Sequence, residues 1–265
     1  SNATRAVAAA SAALGLQCTL ILSHEEPHEP VGNLMLDGLL GANLRFVGDV
    51  TWLELSKHAE SVVAELEYKG ERVYRLPIGC ASERSCLGFA LAYAEVREQM
   101  QSQGRPIGSI IHASSSGGTH AGLTLGKKLF SDSTEIRRVV VAENVYEDVV
   151  GTYVSYANGA AKIIGEDVEI QRQDINLTYD YLGEGYGLPS KGVYEAIDIL
   201  ASKEGLLVDP VYSGKAVAAI VDLAAKGELV GPVVFWHTGG YHALFDPSYA
   251  KKVWGAIDRL AQVQL

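Results

Sequence analysis

Cysteine is scarce and irregular in this chain: 265 residues hold three, Cys18, Cys80 and Cys86, with no metal-binding spacing among them. An odd count at such spacing suits a reducing compartment, so a cytoplasmic protein is expected. The seven histidines form no His-Glu-x-x-His or other paired motif, which removes the usual basis for a zinc site. No apolar run is long enough to span a bilayer, and no signal-peptide pattern opens at residue 1. Basic residues are outnumbered 22 to 32, for a net charge of −10. With no basic stripe, neither a nucleic-acid backbone nor a membrane is an expected partner. Repeats, low-complexity tracts and long linkers are also missing. Apolar residues, at 48% of the chain, are sufficient for one large core or two modest ones.

The most informative stretch is Ala113-Ser114-Ser115-Ser116-Gly117-Gly118-Thr119-His120-Ala121-Gly122. It follows an apolar run, Ile107 to His112, that reads as a buried strand, and it opens an apolar-periodic helix, Leu123 to Phe130. A strand, a Ser/Gly-rich turn and a helix N-terminus together form an anion site. Glycines let the backbone approach a ligand, several N–H groups point one way, and the helix dipole favours negative charge. The expected guest is a phosphate; the plainer alternative is a surface turn.

Strand-like and helix-like segments alternate along the chain. Expected helices are Thr4–Leu14, Asn33–Leu40, Trp52–Lys69, Leu87–Gln101, Val145–Ile164, Lys191–Lys203, Lys215–Lys226 and Pro247–Gln264. Expected strands are Gln17–Ser23, Leu44–Val47, Arg72–Leu76, Ile107–His112, Arg138–Ala142, Gly205–Val208 and Val233–His237. This alternation with short Gly-rich connections predicts an α/β fold of open, mostly parallel sheets with helices on both faces. Two lobes are expected, a smaller one over 4–105 and a larger phosphate-binding one over 106–265, with ligand at the strand C-termini. The chain enters a helix with no leading strand, an opening that predicts further sequence upstream. Ser1-Asn2-Ala3 also reads as the remnant of a cleaved expression tag.

Three more turns follow predicted strands: Tyr181-Leu-Gly-Glu-Gly-Tyr186-Gly-Leu-Pro-Ser190, Leu207-Val-Asp209-Pro-Val-Tyr212-Ser213-Gly-Lys215, and Phe235-Trp-His237-Thr238-Gly239-Gly240. Each has an ordinary structural reading. Tyr212 reads as a core tyrosine, His237 as a hydrogen-bonded strand end and Lys215 as a solvated helix residue. Asp209 then only shapes its turn, and Asn144 caps the next helix.

Taken together, SNATR, LGLQCTLIL, SSSGGTHAGL, GEGYGLPSKG, EGLLVDPVYSGKA and FWHTGGYHALF resemble the D-cysteine desulfhydrase / 1-aminocyclopropane-1-carboxylate (ACC) deaminase family. These are pyridoxal 5'-phosphate (PLP) enzymes of fold type II. The resemblance covers residue 1 to about 260. It implies a homodimer acting on a small amino acid by β-elimination to pyruvate, ammonia and sulfide. It also implies that Ser115, Ser116, Gly117, Gly118 and Thr119 hold the PLP phosphate. Tyr186 and Tyr212 would face the substrate, Ser1 would be catalytic, and Asn2 would contact the cofactor. Ser213 stands where ACC deaminases carry a glutamate near the pyridine nitrogen, and Thr238 matches a threonine that hydrogen-bonds that nitrogen. Both favour the desulfhydrase pattern, with ACC-deaminase-like ring opening as the alternative.

The sequence departs from the family in several places. The Gly-Gly-Asn-Lys segment bearing the lysine that joins PLP as a Schiff base does not occur in these residues, so the fold is expected to be N-terminally incomplete. A truncated, non-catalytic phosphate- or PLP-binding domain is the consequent alternative. Ala3 replaces a common histidine, and Gly79-Cys80-Ala81-Ser82 departs from the usual Gly-Gly-Ser turn.

Overall fold

Ser109 to Ser114 is a run of six residues without an exposed position, as expected for a strand covered on both faces. A computed structural model, describing residues 1–27, 29–143 and 145–257, makes it an inner strand. The elements in order are α1 (Asn2–Ala13), β1 (Thr19–Leu22), α2 (Gly32–Leu39), β2 (Asn43–Phe46), α3 (Trp52–Tyr68), α4 (Glu83–Ser102), β3 (Ser109–Ser114), α5 (Gly118–Leu129), β4 (Glu135–Val140), α6 (Val149–Ile163), β5 (Leu177–Thr178), α7 (Lys191–Glu204), α8 (Ser213–Lys226), β6 (Val233–Phe235) and α9 (Pro247–Ala256). No helix among the described residues is long and apolar enough to cross a membrane.

The chain divides into two compact units, Ser1–Cys80 and Ala81–Leu265. In the first, β1 and β2 pair in parallel, Thr19 opposite Asn43, alongside α1, α2 and α3. In the second, the sheet order is β5-β4-β3-β6, every pairing parallel. Helices cover both of its faces. Ile110 and Ile136 point to one face and pack with Tyr93 of α4 and Leu123 of α5. The alternate residues Ile111, Ala113, Val139 and Val141 point to the other and pack with Ala216, Ala219 and Leu223 of α8. This is the period-two alternation of a strand serving two cores.

The expected lobe boundary near residue 105 is corrected to Cys80/Ala81. The cause is α4, which packs against α5 and α6 and so belongs to the second unit. Two expected strands are also corrected. Residues 72–76 and 205–208 form no strand, and Tyr74 and Leu206 are half or more exposed. Their composition suits a strand, but among the described residues neither gains a ladder partner. The Leu207 carbonyl is instead paired with a His237 ring nitrogen. Asn144 and the end of the last expected helix lie outside the described residues; the side chain that caps α6 is Asp148, accepting from the Gly151 N–H.

Candidate phosphate and substrate site

Because all pairings in the second sheet are parallel, the turns after β3 and β6 emerge side by side at one edge, the usual ligand edge of an open α/β sheet. The turn after β3 is the Ser/Gly loop. Its N-cap, Gly117, has φ +92°, in the left-handed region, and no side chain caps α5. The first turn of a helix leaves N–H groups without intrahelical acceptors, and a bound anion is one way to satisfy them. The loop carbonyls are occupied from the protein side. Ser114 O accepts from Arg138 Nε at 2.8 Å, and Ser115 O accepts from Arg138 Nη2 at 3.1 Å and Tyr153 Oη at 2.7 Å. Ser116 O accepts from Tyr146 Oη at 3.1 Å. With its carbonyls turned toward the protein, the loop has the polarity that a phosphate needs. Gly117 and Gly118 are buried, while Ser115, Ser116 and Thr119 are half-buried.

Behind the loop lie two fully buried histidines, His112 on β3 and His120 on α5, with His112 Nε2 and His120 Nδ1 3.0 Å apart. Burial, with added repulsion from Arg138, lowers the pKa of His112 to about 3. Burial, then His112 and Arg138, push His120 well below its ordinary value. Both rings are therefore neutral, one donating and the other accepting. In the unfolded chain they take up protons near pH 6.5, so their contribution to stability is present above that pH and is lost as pH falls toward 3. We expect a loss of up to about 1.4 kcal/mol per pH unit for each imidazole. Urea unfolding at pH 7.5, 6 and 5 checks this: the His112→Leu variant should show a shallower pH dependence than the parent chain. Equal slopes would refute it.

The motif around Tyr212 builds the second half of the site. Asp209 is fully buried and is more than a turn-former. Its carboxylate accepts from the N–H groups of Val211, Tyr212 and Ser213 at 2.9, 2.8 and 2.9 Å. It also accepts from the Ser213 hydroxyl, whose oxygen in turn accepts from the Asp209 N–H. Ser213 is thus held within this cap. Tyr212 packs over the core of Ile111, Ala113 and Val139, and its hydroxyl meets that of Tyr186 at 2.5 Å. The expected core tyrosine is therefore half of a phenol pair. Desolvation raises the pKa of both, that of Tyr212 well above its ordinary value, so both are neutral phenols at pH 7. Tyr186 is 46% exposed.

Lys215, expected to be solvated, is fully buried. Its Nζ donates to the Leu182 carbonyl at 2.6 Å and the Gly185 carbonyl at 2.9 Å, which ties the Tyr186 loop to the helix that begins at Ser213. Burial lowers its pKa to about 8, against the opposing pull of Asp209. Position in the helix gave no signal of this role. His237 is hydrogen-bonded on both ring nitrogens, Nδ1 accepting from Gly239 N–H and Nε2 facing Leu207 O, each at 3.0 Å. Thr238 beside it is exposed. Ser1 and Asn2 belong to the first unit. Ser1 caps α1, its Oγ accepting from Ala3 N–H at 3.2 Å, and Asn2 Oδ1 accepts from Asn33 Nδ2 at 2.8 Å.

The profile of the family described as pyridoxal-phosphate dependent enzyme matches residues 1–239. The 1-aminocyclopropane-1-carboxylate deaminase of Bradyrhizobium diazoefficiens is 32% identical, over 94% of this chain and 76% of that protein. The D-cysteine desulfhydrase of Serratia proteamaculans is 34% identical, over 92% of this chain and 74% of its own length. A crystal structure of an ACC deaminase homologue superposes with a TM-score of 0.82 at 33% identity, covering 94% of this chain and 73% of that one. Threonine deaminase isoform 2 of Solanum lycopersicum, 16% identical with a TM-score of 0.61 over 98% of this chain and 71% of its own, shares the fold. The family profile over residues 1–239 and these relatives together show that the chain belongs to the pyridoxal-phosphate dependent enzymes of fold type II.

Proposed function

We propose that this chain carries the cofactor and substrate site of a PLP-dependent lyase acting on a small amino acid, most like D-cysteine desulfhydrase. The observation that carries the choice is Ser213, a neutral hydroxyl held by Asp209 directly after Tyr212, where a carboxylate would mark an ACC deaminase. PLP, when bound, supplies an electron sink for charge developing at the substrate α-carbon. A neutral partner at the pyridine nitrogen leaves that sink weaker, which suffices when a good β-leaving group assists bond cleavage.

The roles of the chain's own residues follow. Ser115 to Thr119 bind the phosphate through backbone N–H and hydroxyl groups. Thr238 serves the ring end, and Ser213, its hydroxyl bonded to Asp209, contributes there by its lack of charge. Tyr212 Oη holds a proton at the substrate, and Tyr186, hydrogen-bonded to it, shares that proton. Ser1 and Asn2 are assigned to substrate and cofactor by their motif alone. The proposal extends to a cytoplasmic homodimer.

Names among the relatives support ACC-deaminase-like ring opening as a second reading. The experiment supplies PLP to the chain with a Gly-Gly-Asn-Lys segment added upstream and measures pyruvate from D-cysteine, L-cysteine and β-chloro-D-alanine beside 2-ketobutyrate from ACC. We expect pyruvate from D-cysteine to dominate by at least about tenfold, or ~1.4 kcal/mol in transition-state terms. Preference for ACC would remove Ser213 as the discriminator. PLP binding with no turnover of any substrate would instead support a non-catalytic PLP-binding domain.

A further inference from the structure

Strand β4 contains two consecutive arginines, which must face opposite sides of the sheet. Arg137 pairs with Glu135 at 2.7 Å. Arg138 is 1% exposed, and among the described residues it makes no ion pair with a carboxylate. Two of its nitrogens hold the Ser114 and Ser115 carbonyls, while Nη1 is buried without a hydrogen-bond partner. Its guanidinium carbon lies 5.0 Å from the centre of the Tyr153 ring.

The titratable groups around it come from every neighbouring element: His112 on β3, His120 on α5, Tyr153 on α6, Tyr146 before that helix and Tyr179 after β5. The histidines are neutral, as argued above. Burial raises the pKa of Tyr146 and Tyr153, so they too carry no charge near neutrality. The cluster therefore holds one positive charge behind the loop, with no carboxylate to match it. A buried charge without a counter-charge is strongly unfavourable. The hydrogen bonds of Arg138 aim this charge at the backbone whose N–H side forms the anion site.

We infer that Arg138 is a positioning residue of the phosphate site, turning the loop carbonyls inward and supplying from behind the loop the positive charge that a phosphate dianion matches. The inference rests on the reading of Ser115 to Thr119 as the phosphate site. Arg138 does not touch the ligand. Its effect is confined to ligands that carry the phosphate and is greatest when that phosphate is doubly charged.

Two variants separate charge from geometry: Arg138→Gln keeps a donor for one carbonyl without charge, and Arg138→Lys keeps the charge with a compact donor. Binding of PLP, pyridoxal and inorganic phosphate to the whole chain is measured at pH 5 and pH 8, with melting of the ligand-free proteins as the control for folding. A phosphate monoester such as PLP loses its second proton near pH 6. The parent chain should therefore bind PLP roughly tenfold tighter at pH 8 than at pH 5, the approximate rise in the dianion fraction of its phosphate ester.

We expect Arg138→Gln to bind PLP at least tenfold more weakly at pH 8, to lose most of that pH gain, and to bind pyridoxal as the parent does. Arg138→Lys should keep most of the pH gain while binding PLP more weakly than the parent, because a compact ammonium cannot reproduce the fork that holds both carbonyls. Parent-like PLP binding by Arg138→Gln overturns the inference, as does equal weakening of PLP and pyridoxal. If Arg138→Gln does not fold, Arg138→Lys and the parent decide: a parent with no pH gain, or a lysine variant that loses it, overturns the inference. A parent chain that binds neither PLP nor phosphate overturns the phosphate-site reading itself, and the inference with it.

Discussion

Gly117→Ala is expected to reduce PLP affinity by a hundredfold or more while the nearby Gly118→Ala leaves it within about threefold, a contrast worth ~2 kcal/mol or more. The two glycines are adjacent, yet they meet different surroundings. At Gly117 the backbone has φ +92°, where a Cβ costs roughly 1–2 kcal/mol. That Cβ would also stand 1.9 Å from Tyr153 Cε1. Accommodation requires Tyr153 to move, breaking its hydrogen bond to Ser115 O, or the loop to shift outward; either disturbs the N–H array. At Gly118 the φ is ordinary, and the nearest atoms to a new Cβ are Ser85 Oγ at 3.3 Å and Ala81 Cα at 3.4 Å. Fluorescence titration with PLP measures both. Equal affinities would mean that the loop geometry around Gly117 is not what binds the ligand.

Asp209→Ala should destabilise the chain by about 3–5 kcal/mol, since each buried donor left unpaired costs ~1–3 kcal/mol and part of the turn can relax. Three backbone N–H groups and the Ser213 hydroxyl all depend on that carboxylate. For a chain of this size the corresponding fall in melting temperature is on the order of 10 °C. Asp209→Asn keeps one acceptor oxygen and should cost less than half as much. Denaturant titration of the two variants gives the comparison. A cost below about 1 kcal/mol for Asp209→Ala would show that water replaces the carboxylate at this helix start.

The loop at Ser115 to Thr119 was legible because its cues are local: an apolar run, glycines at the turn and a periodic helix behind it. The phenol pair was legible only in part. Both tyrosines were singled out, but nothing in a spacing of 26 residues states that two hydroxyls touch. Residues 72–76 and 205–208 have strand composition, and composition does not say whether a neighbouring strand will be there to pair. Lys215 was read by its usual preference for water, which a pair of loop carbonyls overrides. Two adjacent arginines in a strand bounded by apolar residues oblige one of them, Arg138, to face inward. That rule names the burial but not the partner, which is set by the distant Ser114 and Ser115.

The parallel pairing of β3 with β6 also bears on how the chain is made. Ser109 lies opposite Val233, and the Ser109 hydroxyl donates to the Val230 carbonyl, 121 positions further along. During synthesis at about 5–20 residues per second, roughly 6–25 s pass between the emergence of the two strands. Throughout that interval one edge of β3, leading straight into the phosphate loop, lacks its native neighbour and can pair with other nascent chains. The strand that leads into the Ser/Gly loop thus depends on late-arriving sequence for one of its two neighbours. Ribosome-stalled chains ending before residue 230 should be markedly more prone to aggregate than those that have released β6.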